Sequence, residues 1–437
     1  MQATVENISK LERRLTVAMP MQPIEEEISQ RLNRLARTSR MAGFRPGKVP
    51  MKMVVQQYGQ QVRQEVISSK VEETFSDAVS QHALKVAGYP SIEPKPFAEG
   101  AENYEYVATF EVLPEVQIGD LSAISIERPK LKVAEADVDK TLDVLRKQRA
   151  TFNPVDRGAE MGDSVTIEFS SRIDGKEVEN TAGQTLSMVL GEQGRLADFD
   201  NAILGAKAEE ARKFDLTFPA DYHNEGLAGK TASYDVKMVS VSAPRLPEVD
   251  AEFAKELGIA DGDVNKMRAE IKDSLEQEVD KRVKAAVKAQ VMDGLVAAVD
   301  LELPKSLVAM ETGRLMESAQ QSLQQRGVDM AQLNLQPAMF EEQAARNAKL
   351  RLIMVELVRG NDLQAKPEQI RAMVDEFAKS FEQPDEVVDW YYADPQRLNE
   401  PAAMATEENV VNWVIERAKV KDKKTTFDEL MAAKDQA

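Results

Sequence analysis

The chain has 437 residues, 43% hydrophobic, 30% charged and only 5% aromatic, with a formal net charge of −18. That length exceeds one ordinary core and predicts two to four domains, and the composition excludes a largely disordered chain. There is no cysteine and the two histidines, His82 and His223, stand far apart, so disulfides, thiol catalysis and a zinc centre drop out.

Residues 1–113 read as one α+β unit. Leu11, Leu15 and Val17 fall in a strand-like segment, and Ile24, Ile28, Leu32 and Leu35 then repeat at helical spacing. Arg31, Arg34 and Arg37 run along another face of that helix, and Glu25, Glu26 and Glu27 are expected in its first turn, where acids suit the dipole. A turn at 43–50 leads to a second helix with Met53, Val54 and Tyr58 inward, and a third is expected over 66–87. Pro90, Pro94 and Pro96 interrupt the pattern before 104–112 alternates as a strand does.

Residues 114–150 read as a connector ending in a helix from about 135 to 149, lined by Leu142 and Leu145. Residues 151–245 change to short alternating segments: Val165, Ile167 and Phe169; Phe214, Leu216 and Phe218; Tyr234, Val236 and Met238. Glycine and Asx turns punctuate them, which predicts a small β-rich domain with one short helix near 199–204. From 246 to 437 amphipathic helices dominate, over 263–299, 304–326, 337–360, 367–382 and 402–419. The first of these would run roughly 50 Å if unbroken, an arm rather than a compact enzyme domain. The fold class expected is therefore α+β, multidomain and elongated.

The charge distribution carries the functional signal. Residues 28–64 hold Arg31, Arg34, Arg37, Arg40, Arg45, Lys48, Lys52 and Arg63 and no Asp or Glu. In their midst Gly43-Phe44-Arg45-Pro46-Gly47-Lys48-Val49-Pro50 reads as an exposed turn presenting one ring and two cations. A basic tip on an acidic body points to docking on a polyanion. The bland alternative is a solvated basic helix face with Phe44 tucked into the core.

Gly43-Phe44-Arg45-x-Gly47-Lys48-x-Pro50 resembles the ribosome-docking signature of the bacterial trigger factor family. The likeness extends along the chain through 139–148, Phe218 to His223, 341–344 and the ending 425–431. It departs at Pro46, where many members carry a third cation. The resemblance implies a ribosome-associated chaperone that needs no ATP and no cofactor. It would dock through Gly43, Phe44, Arg45, Pro46, Gly47 and Lys48 beside the polypeptide exit tunnel of the large ribosomal subunit, touching protein and rRNA. The helical part would cradle nascent and unfolded polypeptides, and the same surfaces would support a reversible homodimer.

Residues 151–245 resemble the FKBP-type prolyl isomerases. The resemblance implies an X-Pro pocket built from Phe169, Leu196, Phe199, Tyr222 and Tyr234, with Met188 or Leu190 nearby and Glu179 as the acidic position. The alternative is that these are core residues of a small barrel-like sheet. Departures stand at Ser170-Ser171 and at Ala197-Asp198, where the family usually has Thr-Gly and Pro-Gly. His223 reads as a loop residue, His82 as structural, and Trp390 with Tyr391 and Tyr392 as a helix-packing cluster.

No phosphate-cradling glycine loop supports a nucleotide partner. No cationic start followed by an apolar stretch marks a secretory signal, and the apolar run 350–358 is too short to cross a bilayer. A cytoplasmic protein without a membrane partner is expected. Two competing readings stay in view, a free prolyl isomerase without ribosome docking and an RNA-binding protein.

Overall fold

The computed structural model describes residues 2–38, 44, 49–96, 102–173, 176–177, 184–192, 196–219, 228–327 and 335–432. Elements follow in chain order as β1 (Gln2–Asn7), β2 (Glu12–Pro20), α1 (Met21–Thr38), α2 (Met51–Gln81), β3 (Val86–Pro94), β4 (Asn103–Val112), β5 (Ser125–Lys130) and α3 (Glu135–Gln148). Next come β6 (Thr151–Pro154), β7 (Ser164–Ile173), β8 (Lys176–Glu177), β9 (Gln184–Val189), α4 (Ala197–Ile203), β10 (Ala211–Thr217) and β11 (Thr231–Arg245). The remainder comprises α5 (Ala251–Glu256), α6 (Val264–Ala298), α7 (Lys305–Gln325), α8 (Glu341–Asn361), α9 (Pro367–Ala378), α10 (Pro384–Tyr392), α11 (Asn399–Ile415), β12 (Lys419–Lys424) and α12 (Phe427–Ala432). The α+β class read from the sequence holds.

The chain divides into two compact units, the first comprising mainly 1–128 and 285–423 and the second mainly 129–284 and 424–435. In the first, an antiparallel sheet of order β1-β2-β4-β3 is covered by α1 and α2. Period-two burial explains it: Leu15, Val17 and Met19 of β2 and Tyr104, Tyr106, Ala108 and Phe110 of β4 all enter one core. Ile24, Ile28 and Leu32 of α1 and Val54, Val62 and Val66 of α2 close that core from above.

Two expectations fail here for local reasons. The second and third helices are one helix, α2, because nothing between 60 and 81 stops the i to i+4 ladder; it ends only at His82, ahead of Ala83 with φ 49°. Residues 86–94 form β3 despite Pro90 and Pro94, because β3 is an edge strand and a register shift lies between Ala87 and Ser91. Gly88 sits in that irregularity at φ 74°, where a Cβ would come within 2.5 Å of Ser306 Cβ.

The rest of this unit is helical apart from β5 and β12, which form a two-stranded sheet. The linker before β5 presses on the end of α6, where a Cβ on Gly294 would meet Ile124 Cγ2 at 2.5 Å. Helices α7 and α8 pair, and α9, α10 and α11 pack together, with Val374, Ala378 and Val388 buried.

The second unit holds two cores. One fills the sheet of β6 to β11 beneath α4, with β10, β11, β7 and β8 in order, β9 on β7 and β6 on β11. The other joins α3, α5, the first part of α6 and α12 around Val138, Leu142, Phe253, Met267 and Leu430. Arg268 of α6 reaches Glu135 and Asp139 of α3, at 3.3 and 2.7 Å.

Candidate functional site

The basic face is assembled by α1 and the start of α2. Phe44 lies on the surface, 39% exposed, not in the core. Gly43, Arg45, Pro46, Gly47 and Lys48 lie outside the described residues. Behind them Val49 is buried and the carbonyl of Pro50 accepts from the backbone N–H of Met53 and Val54, which starts α2.

The surrounding cations are not equivalent. Glu25, Glu26 and Glu27 fall beyond the first turn, because α1 begins at Met21. Glu27 instead binds Arg31 at 2.7 Å and Lys70 at 3.7 Å, and Glu25 binds Arg63 at 2.8 Å. The hydrogen bond from Arg31 holds the Glu27 carboxyl below its ordinary range. Arg34, Arg37 and Lys52 have no ion pair among the described residues. The acid-free stretch is thus partly neutralised across the helix pair, and its uncompensated charge narrows to three described side chains.

Met53 faces outward, 39% exposed, where an inward position was expected. Met51 and Val55 are exposed beside it, while Val54 takes the core. Periodicity of apolar residues alone missed this, because Met51, Met53 and Val55 straddle the buried position on a helix whose first turn has apolar residues on several sides.

In the second unit, β7, β10, β11 and α4 bring rings together. Phe214 stands opposite Tyr234 across β10 and β11, and their rings stack at 5.7 Å. Phe199 of α4 meets Tyr234 edge-on at 5.3 Å and Phe214 at 5.5 Å. Phe169 lies 6.4 Å from Tyr234. Leu196, partly buried, precedes α4, and its carbonyl accepts from Phe199 N at 3.0 Å. Of the expected pocket residues, Phe169, Leu196, Phe199 and Tyr234 share one core, with Met188 and Leu190 buried in it. Tyr222 and Glu179 lie outside the described residues. Phe214 was not among the expected pocket residues; its cross-strand position opposite Tyr234 was the available signal.

The departures resolve individually. Ser170 faces the outer side, opposite Asp235, while Ser171 is buried opposite Tyr234. Asp198 is exposed. Asp200 is buried and accepts from Gly191 N at 2.8 Å, tying the turn after β9 to the helix that carries Phe199. An apolar wall of this kind has the chemistry to receive a prolyl ring and to exclude water from a peptide bond. Rotation about that bond crosses a barrier of about 18–20 kcal/mol and needs no nucleophile or base.

A third surface lies between α7 and α8. A cleft of about 520 Å³ is lined by Leu303, Val308, Ala309, Met316 and Pro337, among others. Met310 of α7 and Met339, in the short turn before α8, stand exposed as well. Glu311, only 4% exposed, pins the pair by accepting from Arg314, Asn347 and Arg351. Trp390 and Tyr392 are also exposed, so the cluster expected to be packing is only partly so: Tyr391 stacks on Phe377, and Trp390 lies under Arg397 at 4.1 Å.

Among the described residues no helix is long and apolar enough to cross a membrane. Family models match three segments: Bacterial trigger factor protein over 1–145, FKBP-type peptidyl-prolyl cis-trans isomerase over 155–239, and Bacterial trigger factor protein C-terminus over 263–416. The trigger factor of Methylobacillus flagellatus is 57% identical over 431 residues, covering 99% of each chain. That of Aromatoleum aromaticum is 49% identical over 432 residues, again 99% of each. A solved structure of the trigger factor chaperone, described for promiscuous substrate recognition in folding and assembly, aligns with a TM-score of 0.50 at 18% identity. It covers 95% of this chain and all of that one, a likeness of fold.

Proposed function

The chain belongs to the bacterial trigger factor family, and we propose that it docks on the large ribosomal subunit at the tunnel exit through Gly43, Phe44, Arg45, Pro46, Gly47 and Lys48. The family is one of ribosome-associated chaperones, and residues 155–239 are an FKBP-type peptidyl-prolyl isomerase domain. The observation that carries the docking assignment is the exposed Phe44 ring in a segment flanked by Arg34, Arg37 and Lys52, cations without an ion pair among the described residues. A ring wedges into a crevice while cations neutralise phosphate, so rRNA and ribosomal protein share the contact.

Nascent and unfolded polypeptides then meet the apolar cleft along α7, where Met316 in the lining and the exposed Met310 and Met339 nearby adapt to varied apolar segments. Phe169, Leu196, Phe199, Tyr222 and Tyr234 form the prolyl site, with Phe214 holding Tyr234. The connector 114–150 and the segment 246–437 form the chaperone body, 1–113 the docking domain and 151–245 the isomerase. Off the ribosome the protein self-associates reversibly, in the cytoplasm, through the same apolar surfaces. Cosedimentation with large subunits tests docking: the parent pellets, and the F44A/R45A/K48A variant stays in the supernatant. Equal pelleting would leave a free isomerase.

A further inference from the structure

Strand β12 reads Lys-Val-Lys-Asp-Lys-Lys in a chain of net charge −18. Alternation places Lys419, Lys421 and Lys423 on one face and Val420, Asp422 and Lys424 on the other. Asp422 accepts from Arg128 Nε and a terminal nitrogen, at 2.9 and 2.7 Å.

The row itself is exposed. Lys423 shares Glu127 at 2.8 Å, on a carboxylate that is itself 58% exposed. Lys419 lies in the field of Asp120, and Lys421 adds to the field at Glu127. Lys421 has no ion pair of its own among the described residues. Arg417, next along the chain, is occupied by Glu416 and by the face of Trp413.

The strand that presents the row is held firmly. Lys419 N donates to Ile124 O at 2.9 Å. The other edge of β5 is closed by one side chain: Gln290 of α6 donates to Glu127 O at 2.9 Å and accepts from Glu127 N at 2.8 Å.

We propose that Lys419, Lys421 and Lys423 are a second anion contact of the docked protein, binding consecutive phosphates of an RNA strand. The proposal rests on the ribosome-docking reading. Same-face residues in a strand repeat every 6.5–7 Å or about that, close to the separation of neighbouring phosphates along a nucleic-acid strand. Lysine acts as a point charge toward phosphate, so the row grips backbone without reading bases. Toward a lipid surface the three lysines would supply only electrostatic attraction, because no large apolar side chain shares their face.

The test measures affinity of the full-length protein for purified large subunits over a range of salt. Four proteins are compared: the parent, K419A/K421A/K423A, the charge-retaining K419R/K421R/K423R, and the loop variant F44A/R45A/K48A. Each lost phosphate contact flattens the slope of log affinity against log salt by roughly 0.7–0.9. The alanine row is expected to lose about two units of slope, and the arginine row none. The alanine row should also bind bare large-subunit rRNA more weakly and behave as the parent toward phosphatidylglycerol vesicles. An unchanged slope, with the loop variant impaired, overturns the proposal and leaves docking intact. Weaker vesicle binding with unchanged rRNA binding also overturns it. A loop variant that binds like the parent is a failure of the docking reading, and the rRNA measurement still decides the lysine row.

Discussion

The Glu111 carboxylate, near the end of β4, caps the start of α7 by accepting from Ser306 N at 2.7 Å, from the Ser306 hydroxyl at 2.5 Å and from Lys305 N at 3.0 Å. The first N–H groups of a helix have no partner inside it, and α7 has no cap from its own Pro304. A residue 195 positions away in sequence from Ser306 supplies the cap. The same contact fixes the N-terminal sheet against the helix pair proposed to meet clients. Glu111→Ala should cost about 0.5–2 kcal/mol locally. Hydrogen exchange is the readout: the Lys305 and Ser306 amides should exchange faster, while those of β2 and β4 keep their protection.

Glu311 offers a pH prediction. The hydrogen bond from Arg314 holds its carboxyl low, against the opposing push of burial, with further support from Asn347 and Arg351. A depressed folded value means the stabilisation is complete above the unfolded value near 4.5 and fades as pH falls below it. Glu311→Gln should therefore lower the unfolding midpoint at pH 6 and flatten the acid dependence between pH 5 and pH 3. Its partners Arg314 and Arg351 are largely exposed, so water takes over part of their bonding and the loss should stay at about 1–3 kcal/mol. A variant as acid-sensitive as the parent would show that other carboxylates set the response.

The ring cluster predicts a split between folding and activity. Phe199 is buried in the core, so Phe199→Ala removes packing at about 3–5 kcal/mol as well as any substrate contact. Phe214 is only half-buried and stacks on Tyr234. Phe214→Leu should leave the domain folded and lower kcat/KM on a short X-Pro peptide by about tenfold, a loss of about 1.4 kcal/mol in transition-state binding. Parent-like turnover would remove the stack from the prolyl site.

What the sequence made legible follows from where the information lies. Alternation along 104–112 and 165–169 marks β4 and β7 because one face of each is buried. The basic stretch 28–64 is equally plain as a run of letters, but its neutralisation is not. Arg63 meets Glu25 from 38 positions away, a pairing that exists only once α1 and α2 lie side by side. Strand β12 was invisible for the same kind of reason. Its lysines give no apolar period, and its ties to Arg128 and Glu127 reach across 294 and 296 positions of sequence. Phe214 declared itself as a strand residue, yet its place beside Phe199 required the fold of α4 over the sheet.

On the docking proposed above, the chain waits at the ribosomal exit, hooked there by Phe44 and its neighbouring cations, and meets proteins as they emerge. The most direct measurement uses stalled ribosomes whose nascent chain carries a photoreactive residue just outside the tunnel. Irradiation should crosslink that chain to the parent protein and not to F44A/R45A/K48A at the same concentration. Equal crosslinking of the two proteins would show that Phe44, Arg45 and Lys48 do not hold the chain at the exit.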